Sequence, residues 1–286
     1  MNRNAAVRMV RSERVVDVRL LVLDIDGTIA DRSNRVRDSV AWAVDSARRR
    51  GVAIAIATGR SYQCAIPAYD FIGSNLPLIC YEGALICEPN TGFVHRHWPL
   101  QPHVAAQMLD HTERLGLSSR LSINLHVQDT LYVSNLNDAA IDYFERSNVE
   151  PVIVNDLRQV LNRATTKVTV LGDDVHDIAR LFLQLKNSYG RIQVRYDKSM
   201  ALLEAFHPAV NKRLAVGYLA EEILSLRPEN VMVVGDDFTD IEMIRYAGIG
   251  VAMAHAPVAV RSFADWVTTT IERDGVARAI EKWILC

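Results

Sequence analysis

The sequence predicts an α/β protein with a Rossmann-like parallel-sheet core and an inserted α+β domain. Near both ends of the 286-residue chain, short apolar runs alternate with segments of helical periodicity, which is typical of parallel strands joined by helices. Between these parts the pattern changes to hairpins mixed with helices. We therefore expect an N-terminal extension over residues 1–17, a core domain over 18–84 and 196–286, and the inserted domain over 85–195.

The composition is typical of a globular protein. Hydrophobic residues make up 49% of the chain, charged residues 23%, and the formal net charge is −2. This gives no electrostatic reason to expect nucleic acid or a membrane as a partner. No apolar run is long enough to span a bilayer, and no signal-peptide core is apparent. The four cysteines have no metal-binding spacing, so we expect reduced thiols and a cytoplasmic protein.

The first predicted strand, residues 18–23, ends in the carboxylates Asp24 and Asp26, followed by Gly27 and Thr28. Ligands of open parallel sheets bind beyond the carboxyl ends of strands, and alternation along the strand starts both carboxylates on the same side. Two acids this close repel each other unless a cation lies between them or one is protonated. Oxygen ligands suit Mg²⁺. An Asx-type turn without a catalytic role is the alternative.

The second predicted strand, residues 52–57, ends in Thr58, Gly59 and Arg60, and a helix follows from about Ser61. A hydroxyl and a glycine before a helix N-terminus can seat a phosphate through backbone N–H groups and the helix dipole. An ordinary N-cap by Thr58 or Ser61 is an equally good interpretation.

The third predicted strand, residues 76–81, ends in Glu82, and strand–helix alternation implies that it continues the parallel sheet. The inserted domain is expected to contain a hairpin over 121–133 and a helix over 175–188. The parallel pattern is expected to resume with a strand over 202–206.

A later strand, residues 231–234, ends in a glycine and three acids, Asp236, Asp237 and Asp240. Two strands of one parallel sheet that both end in acids can place carboxylates around a single ion. Asp240 is as well explained by a helix cap. Lys212 begins the preceding helix. A lone lysine is usually a solvated surface residue, but near a strand end it can neutralise a phosphoryl group.

These segments, taken in order, resemble the four motifs of the haloacid dehalogenase-like phosphohydrolases. The inserted domain resembles the α+β cap of the Cof-type, class IIB subgroup, and the resemblance covers about residues 19–286. The motif segments are 24–28, 58–60, 211–212 and 235–240, and segments 252–257 and 274–277 also resemble C-terminal features of the subgroup.

The resemblance implies a mechanism through an aspartyl-phosphate. Asp24 would be the nucleophile, and Asp26 would protonate the leaving oxygen and then activate water. Covalent catalysis of this kind splits one difficult displacement into two easier ones. The implied cofactor is Mg²⁺. The remaining implied roles are phosphate binding by Gly27, Thr58, Gly59 and Lys212; metal binding by Asp24, Asp26 and Asp236; support by Asp237 and Asp240; and substrate contact by Arg60 and Glu82.

Three positions depart from the subgroup pattern. Thr239 stands where the subgroup usually has Asn, and Arg213 replaces a frequent glycine. Glu82 replaces the Asn of a strand-end Asn-Gly-Ala. An acid at this position would repel a second anionic group on a substrate.

The predicted function is a Mg²⁺-dependent phosphomonoesterase that acts on a small phosphorylated metabolite, with a sugar phosphate preferred. The alternatives are a phosphomannomutase-like sugar phosphomutase and a binding protein without turnover. We expect a monomer or a small homo-oligomer.

Overall fold

The structure is a computed structural model that describes residues 17–147, 149–188 and 192–286. The predicted extension over 1–17 lies outside the described residues except for its last position. No helix in the described ranges is long and apolar enough to cross a bilayer. The chain divides into two compact units, whose described residues are 17–55, 71–76 and 216–286 in the first, and 56–70 and 77–215 in the second.

The described residues contain fourteen strands and nine α-helices. Strands β1 to β14 are, in chain order, Leu20–Leu23, Ala53–Ile56, Leu78–Cys80, Leu85–Cys87, Val94–His97, Leu121–Val127, Thr130–Val133, Val152–Ile153, Thr165–Gly172, Gln193–Asp197, Leu202–Phe206, Val231–Gly235, Ile249–Ala252 and Trp266–Val267. Helices α1 to α9 are Asp38–Arg49, Tyr62–Ile72, Pro102–Arg114, Asp138–Ser147, Val175–Ser188, Lys212–Gly217, Ile241–Tyr246, Val258–Arg261 and Gly275–Ile280.

The first unit is built on a five-stranded sheet with the strand order β14-β13-β12-β1-β2. β1 is parallel to β12, β12 to β13, and β13 to β14. Every residue of β1 is buried, as expected for a strand covered on both faces. Leu23 lies opposite Val234, so the residues that follow β1 and β12 leave the sheet at the same edge. The predicted parallel α/β core is confirmed.

Helix α1 shows how the sequence places a helix on this unit. Its buried residues Val40, Ala43, Val44 and Ala47 recur at helical spacing, and the helix packs against α9. An acid in its first turn and arginines in its last turn match the helix dipole.

The second unit contains a six-stranded sheet with the order β10-β11-β9-β6-β7-β8. All neighbours in it are antiparallel except β7 and β8. Helices α3 and α5 share one apolar core with this sheet, in which Met108 and Ile178 pack with Val170 and Leu203. The predicted hairpin over 121–133 and the helix over 175–188 are present.

One prediction about strand pairing is wrong, and another holds only in part. The strand over 202–206 does not resume the parallel pattern, because β11 pairs antiparallel with β9 and β10. The strand predicted over 76–81 pairs antiparallel with β4 in a three-stranded sheet, β3-β4-β5, and keeps one parallel bridge, Ala57–Ile79. A turn over 81–83 reverses the chain after β3, so its nearest partner is the next strand. The predicted domain boundaries stay a prediction.

Candidate active site

The residues that follow β1 and β12 form an acidic cluster in the first unit. The Asp24 N–H donates to the Val234 carbonyl at 3.1 Å. Asp24, Asp236 and Asp240, which we call the acidic cluster, each place one carboxylate oxygen within 4.8 Å of the others. Parallel register therefore brings together carboxylates that are distant in sequence, as the strand-end pattern indicated.

Asp240 holds the loop after β12 in shape. Its Oδ2 accepts the N–H of Asp236 at 2.9 Å and that of Asp237 at 3.1 Å. Asp237 and Asp240 form a reciprocal capping box at the start of a short 3₁₀ turn. A Cβ at Gly235 would lie 2.6 Å from Asp240 Oδ2, so this position requires glycine. The predicted cap by Asp240 on the following helix, α7, is not present, because its side chain makes no cap hydrogen bond there; the carboxylate instead closes the capping box of the preceding turn and belongs to the acidic cluster.

The loop after β1 lies directly against the Asp236 carboxylate. Thr28 donates its hydroxyl to Asp236 Oδ1 at 3.0 Å. Gly27 has a φ of +82°, and a Cβ there would overlap the Asp236 carboxylate. Glycine is therefore needed at residue 27 both for its backbone conformation and for the close approach of this carboxylate.

The acidic cluster is electrostatically strained without a cation. Burial and the charge of Asp240 raise the pKa of Asp236 to about 6, against the opposing effects of the Thr28 hydrogen bond and of His255. The His255 Nε2 lies 3.5 Å from Asp236 Oδ2. A set of convergent carboxylate oxygens is the donor set that a hard divalent cation prefers, so these residues fit Mg²⁺.

The other two predicted acids differ from the cluster in exposure. Asp26 is exposed and forms a bridge with Ala30 in the turn after β1. Asp237 is also exposed, at the start of the 3₁₀ turn. Solvent access is compatible with proton transfer by Asp26, whereas the contacts of Asp237 are those of a cap.

In the second unit, two loops are bound to each other by backbone hydrogen bonds. We call them the Thr58 loop (58–60) and the Glu82 loop (81–83). The Glu82 N–H donates to the Thr58 carbonyl at 2.9 Å, and the Tyr81 N–H donates to the Arg60 carbonyl at 2.9 Å. The Thr58 side chain is fully buried, and its hydroxyl accepts the Arg60 N–H at 3.2 Å. The two loops therefore form one rigid structure.

The N-terminus of helix α2 is occupied by a residue that the sequence analysis did not single out. Asp129, in the β6–β7 turn, accepts the N–H groups of Tyr62 and Gln63, both at 2.9 Å. It also accepts the Tyr81 hydroxyl at 2.6 Å. The predicted phosphate seat cannot use these two helix amides while Asp129 holds them, which leaves the Thr58 hydroxyl and the Gly59 backbone as its candidate parts.

Lys212 is buried, with 3% of its side chain exposed, and is not a solvated surface residue. Its Nζ lies 3.7 Å from Glu82 Oε2, and Arg195 Nη1 lies 3.1 Å from Glu82 Oε1. Burial raises the pKa of Glu82, but the charges of Lys212, Arg195 and Lys167 outweigh it, and the net shift is downward. Glu82 is therefore an ionised carboxylate held between cations.

Arg60, a predicted substrate contact, donates from Nη1 to the Cys64 carbonyl at 3.4 Å, within its own helix region. Arg195 and Lys167 were not identified from sequence, because only the pairing of the antiparallel sheet brings them near Glu82. Asp129 was missed for the same reason, being 67 residues from Tyr62.

The comparisons with known proteins agree with this fold. A family model described as "haloacid dehalogenase-like hydrolase" matches residues 21–280. The chain belongs to this family. It is therefore an enzyme of the hydrolase class, and the resemblance drawn from the motifs is confirmed.

The chain is similar to several characterised or solved relatives. It is 26% identical to the 5-amino-6-(5-phospho-D-ribitylamino)uracil phosphatase YitU of Bacillus subtilis, over 92% of this chain and 97% of that protein. A haloacid dehalogenase-like hydrolase from Bacteroides thetaiotaomicron has the same fold, with a TM-score of 0.83 at 24% identity, covering 93% of this chain and 99% of the other. The HAD subclass IIB sugar phosphatase BT4131 superposes with a TM-score of 0.79 at 21% identity, covering 93% and 99%.

Proposed function

We propose that this hydrolase is a Mg²⁺-dependent phosphomonoesterase that acts on a small phosphorylated metabolite, preferably a sugar phosphate. The observation that carries the proposal is the acidic cluster, in which Asp24, Asp236 and Asp240 have oxygens within 4.8 Å of one another. Family membership supports it, and so does the similarity to YitU, which is a phosphatase by name. The phosphate of the substrate named for YitU is on a ribityl chain, which supports a polyol or sugar leaving group.

In the proposed mechanism, Asp24 attacks phosphorus and the bond to the leaving oxygen breaks. Asp26 gives its proton to that oxygen. An aspartyl-phosphate remains on Asp24, and Asp26 then takes a proton from the water that hydrolyses it. Inorganic phosphate is released, and both aspartates return to their starting states.

The phosphoryl oxygens would be held by the Gly27 and Gly59 backbones, the Thr58 hydroxyl and Lys212. Asp24, Asp236 and the Asp26 carbonyl would hold Mg²⁺. When bound, this ion neutralises charge on the phosphoryl group and between the carboxylates. Asp237 and Asp240 would maintain the loop that carries Asp236.

We also propose a cytoplasmic protein that is a monomer or small homo-oligomer, with no nucleic acid or membrane partner. The formal net charge of −2 supports the absence of polyanionic partners. The proposed domain boundaries are a core over 18–84 and 196–286 and a cap over 85–195.

The test is phosphate release by the purified protein with Mg²⁺ across sugar phosphates, nucleotides and cofactor phosphates. Asp24→Asn should abolish release without unfolding the protein, and EDTA should abolish it reversibly. Asp45→Asn, at an acid on the exposed side of α1 that pairs with Arg48 and Arg49, is the matched control and should keep full activity. Substantial turnover by Asp24→Asn would refute the nucleophile assignment.

A sugar phosphomutase would use the same nucleophile but return the phosphoryl group to a sugar hydroxyl. The same assay separates the two functions. Release of inorganic phosphate without a bisphosphate activator is expected of the phosphatase. Isomerised sugar phosphate without phosphate release would establish the mutase instead.

A further inference from the structure

A chain of alternating charges runs through the second unit from Lys212 to the six-stranded sheet. Arg195 lies opposite Glu204 in the β10–β11 register, and Lys167 Nζ lies 2.8 Å from Glu204 Oε1. With the contacts of Glu82 to Lys212 and Arg195 described above, the order is cation, anion, cation, anion, cation. We call these residues the charge chain: Lys212, Glu82, Arg195, Glu204 and Lys167.

The charge chain is withdrawn from water. Lys167 and Lys212 are each 3% exposed and Glu82 8%, while the side chains of Arg195 and Glu204 are 23% and 17% exposed. Removing charges from water costs free energy that mutual attraction only partly offsets. Glu204 and Glu82 keep the pKa of Lys167 above its usual range despite burial, so the lysine stays charged.

Three cations face two carboxylates in this chain, so one positive charge is left over. A bound phosphoryl group would use that charge. If residue 82 were a neutral amide, two positive charges would be left, and the region could accommodate an additional anion. The identity of residue 82 therefore sets how much negative charge a ligand can bring.

The Glu82 carboxylate is fixed at the phosphate seat by its backbone and by its packing. Glu82 has a φ of 61°, and Tyr81 before it has a φ of 50°; such values are uncommon for residues other than glycine and persist only where the surrounding contacts impose them. A Cβ on Gly59 would lie 2.5 Å from Glu82 Oε1, so the carboxylate lies directly over Gly59.

One oxygen of this carboxylate is unsatisfied. Glu82 Oε2 is buried and accepts no hydrogen bond from any described residue; it faces Lys212 Nζ at 3.7 Å. In a low-dielectric surrounding, the negative charge of Glu82 weakens the attraction that Lys212 and Arg195 exert on a second anion, and the free lone pair of Oε2 suits a hydrogen-bond donor.

We propose that Glu82 restricts this enzyme to phosphomonoesters whose leaving group carries no second negative charge, a neutral polyol being the preferred class. The proposal rests on the phosphatase function proposed above and on Thr58, Gly59 and Lys212 as the phosphate seat. It disfavours phosphorylated carboxylic acids and sugar bisphosphates, and therefore also the bisphosphate activator that a sugar phosphomutase needs.

The test compares two substrates that differ only in the charge of the leaving group. Glycerol 3-phosphate and 3-phosphoglycerate carry a CH₂OH and a carboxylate at the same position. Wild-type kcat/KM is expected to favour glycerol 3-phosphate by at least about tenfold, which corresponds to about 1.4 kcal/mol. Glu82→Gln, which removes the charge and keeps the shape, should reduce this preference by about tenfold. The pair sorbitol 6-phosphate and 6-phosphogluconate, both open-chain, repeats the comparison on a larger scaffold.

Two variants complete the experiment. Glu82→Asn shortens the side chain as well and should shift the preference in the same direction. Glu113→Gln removes the same charge from an exposed glutamate of the second unit and should leave the preference unchanged. Near-equal use of both members of a pair by the wild type overturns the proposal whether or not the Glu82 variants fold, and so does an unchanged preference in a folded Glu82→Gln. If the wild type releases phosphate from no compound, the proposed function itself fails, and this inference with it.

Discussion

The Tyr81 hydroxyl donates to the Asp129 carboxylate at 2.6 Å and so ties the Glu82 loop to the turn between β6 and β7. The same carboxylate caps helix α2 directly after the Thr58 loop. Gln128 and Asp129 have φ values of 51° and 64°, which few residues other than Gly and Asn adopt readily. The β6–β7 turn, with two residues in the left-handed region, therefore places the Asp129 carboxylate in contact with both the Glu82 loop and the helix that follows the Thr58 loop.

We expect Asp129→Ala to destabilise the protein by about 2 kcal/mol, since it removes a cap and a charged hydrogen bond. It should also raise KM, because the Thr58 loop loses its support. Urea unfolding and initial rates measure the two effects. Tyr81→Phe should lower the free energy of unfolding by a smaller amount. The loss in the double variant should be less than the sum of the two single losses. Tyr132→Phe, on a neighbouring strand, serves as the control; strict additivity would show that Tyr81 and Asp129 act independently.

Gly27→Ala should remove Mg²⁺ binding. The substitution places a methyl group against the Asp236 carboxylate and forces a non-glycine residue to a φ of +82°. Calorimetric titration with Mg²⁺ measures this directly, without dependence on turnover. Gly51→Ala is the matched control, because it has a similar φ of +84° and nothing within 4 Å of the added Cβ. It should lose some stability but bind Mg²⁺ normally, and normal binding by Gly27→Ala would contradict the prediction.

Mg²⁺ should stabilise the folded protein, because it relieves repulsion within the acidic cluster. At a concentration of about one hundred times Kd, the stabilisation is about 2.7 kcal/mol. Without metal, Asp236→Asn should be at least as stable as the wild type, because one of the repelling charges is gone. Addition of Mg²⁺ should then raise its stability very little. Thermal unfolding with Mg²⁺ and with EDTA checks both. A large Mg²⁺ stabilisation retained by Asp236→Asn would exclude this aspartate as a ligand.

His126 should make the protein less stable in mild acid. Burial and the nearby charge of Lys167 hold its pKa well below the usual 6.5, and its ring also contacts Tyr81 edge-on. The folded state therefore stays unprotonated where the unfolded state binds a proton. Above pH 6.5, His126 therefore does not reduce the free energy of unfolding. Below pH 6.5, that free energy falls by up to about 1.4 kcal/mol per pH unit.

Urea unfolding of His126→Gln between pH 7.5 and 5 tests this dependence. The variant should lose less stability over that range than the wild type does. His176→Gln, at an exposed position on α5, should retain the wild-type slope. Equal slopes for all three proteins would contradict the assignment to His126.

The sequence was sufficient to locate the acidic strand ends, because an apolar run followed by Asp24 or Asp236 is a local signal. It did not indicate which strands would pair. β11 has the composition of a buried strand, and the same residues suit a parallel or an antiparallel neighbour. Lys212 begins a helix, as predicted, but its burial against Glu82 depends on contacts that no local pattern encodes.

The geometry of the Glu82 loop was equally beyond local reasoning. Tyr81 and Glu82 carry none of the glycine that normally announces a left-handed backbone. Their conformation is imposed by Thr58, Arg60 and Asp129, which accept their N–H and hydroxyl groups.

The hydrogen bond between Thr28 and Asp236 joins residues 208 positions apart. During translation, the early carboxylates emerge long before their counterparts near the end of the chain. Until β12 and the loop after it have been synthesised, the nascent polypeptide lacks Asp236 and Asp240, two of the three members of the acidic cluster. Catalytic competence therefore arrives only with the last portion of synthesis, and fragments truncated before that point should be inert towards both metal and phosphate esters.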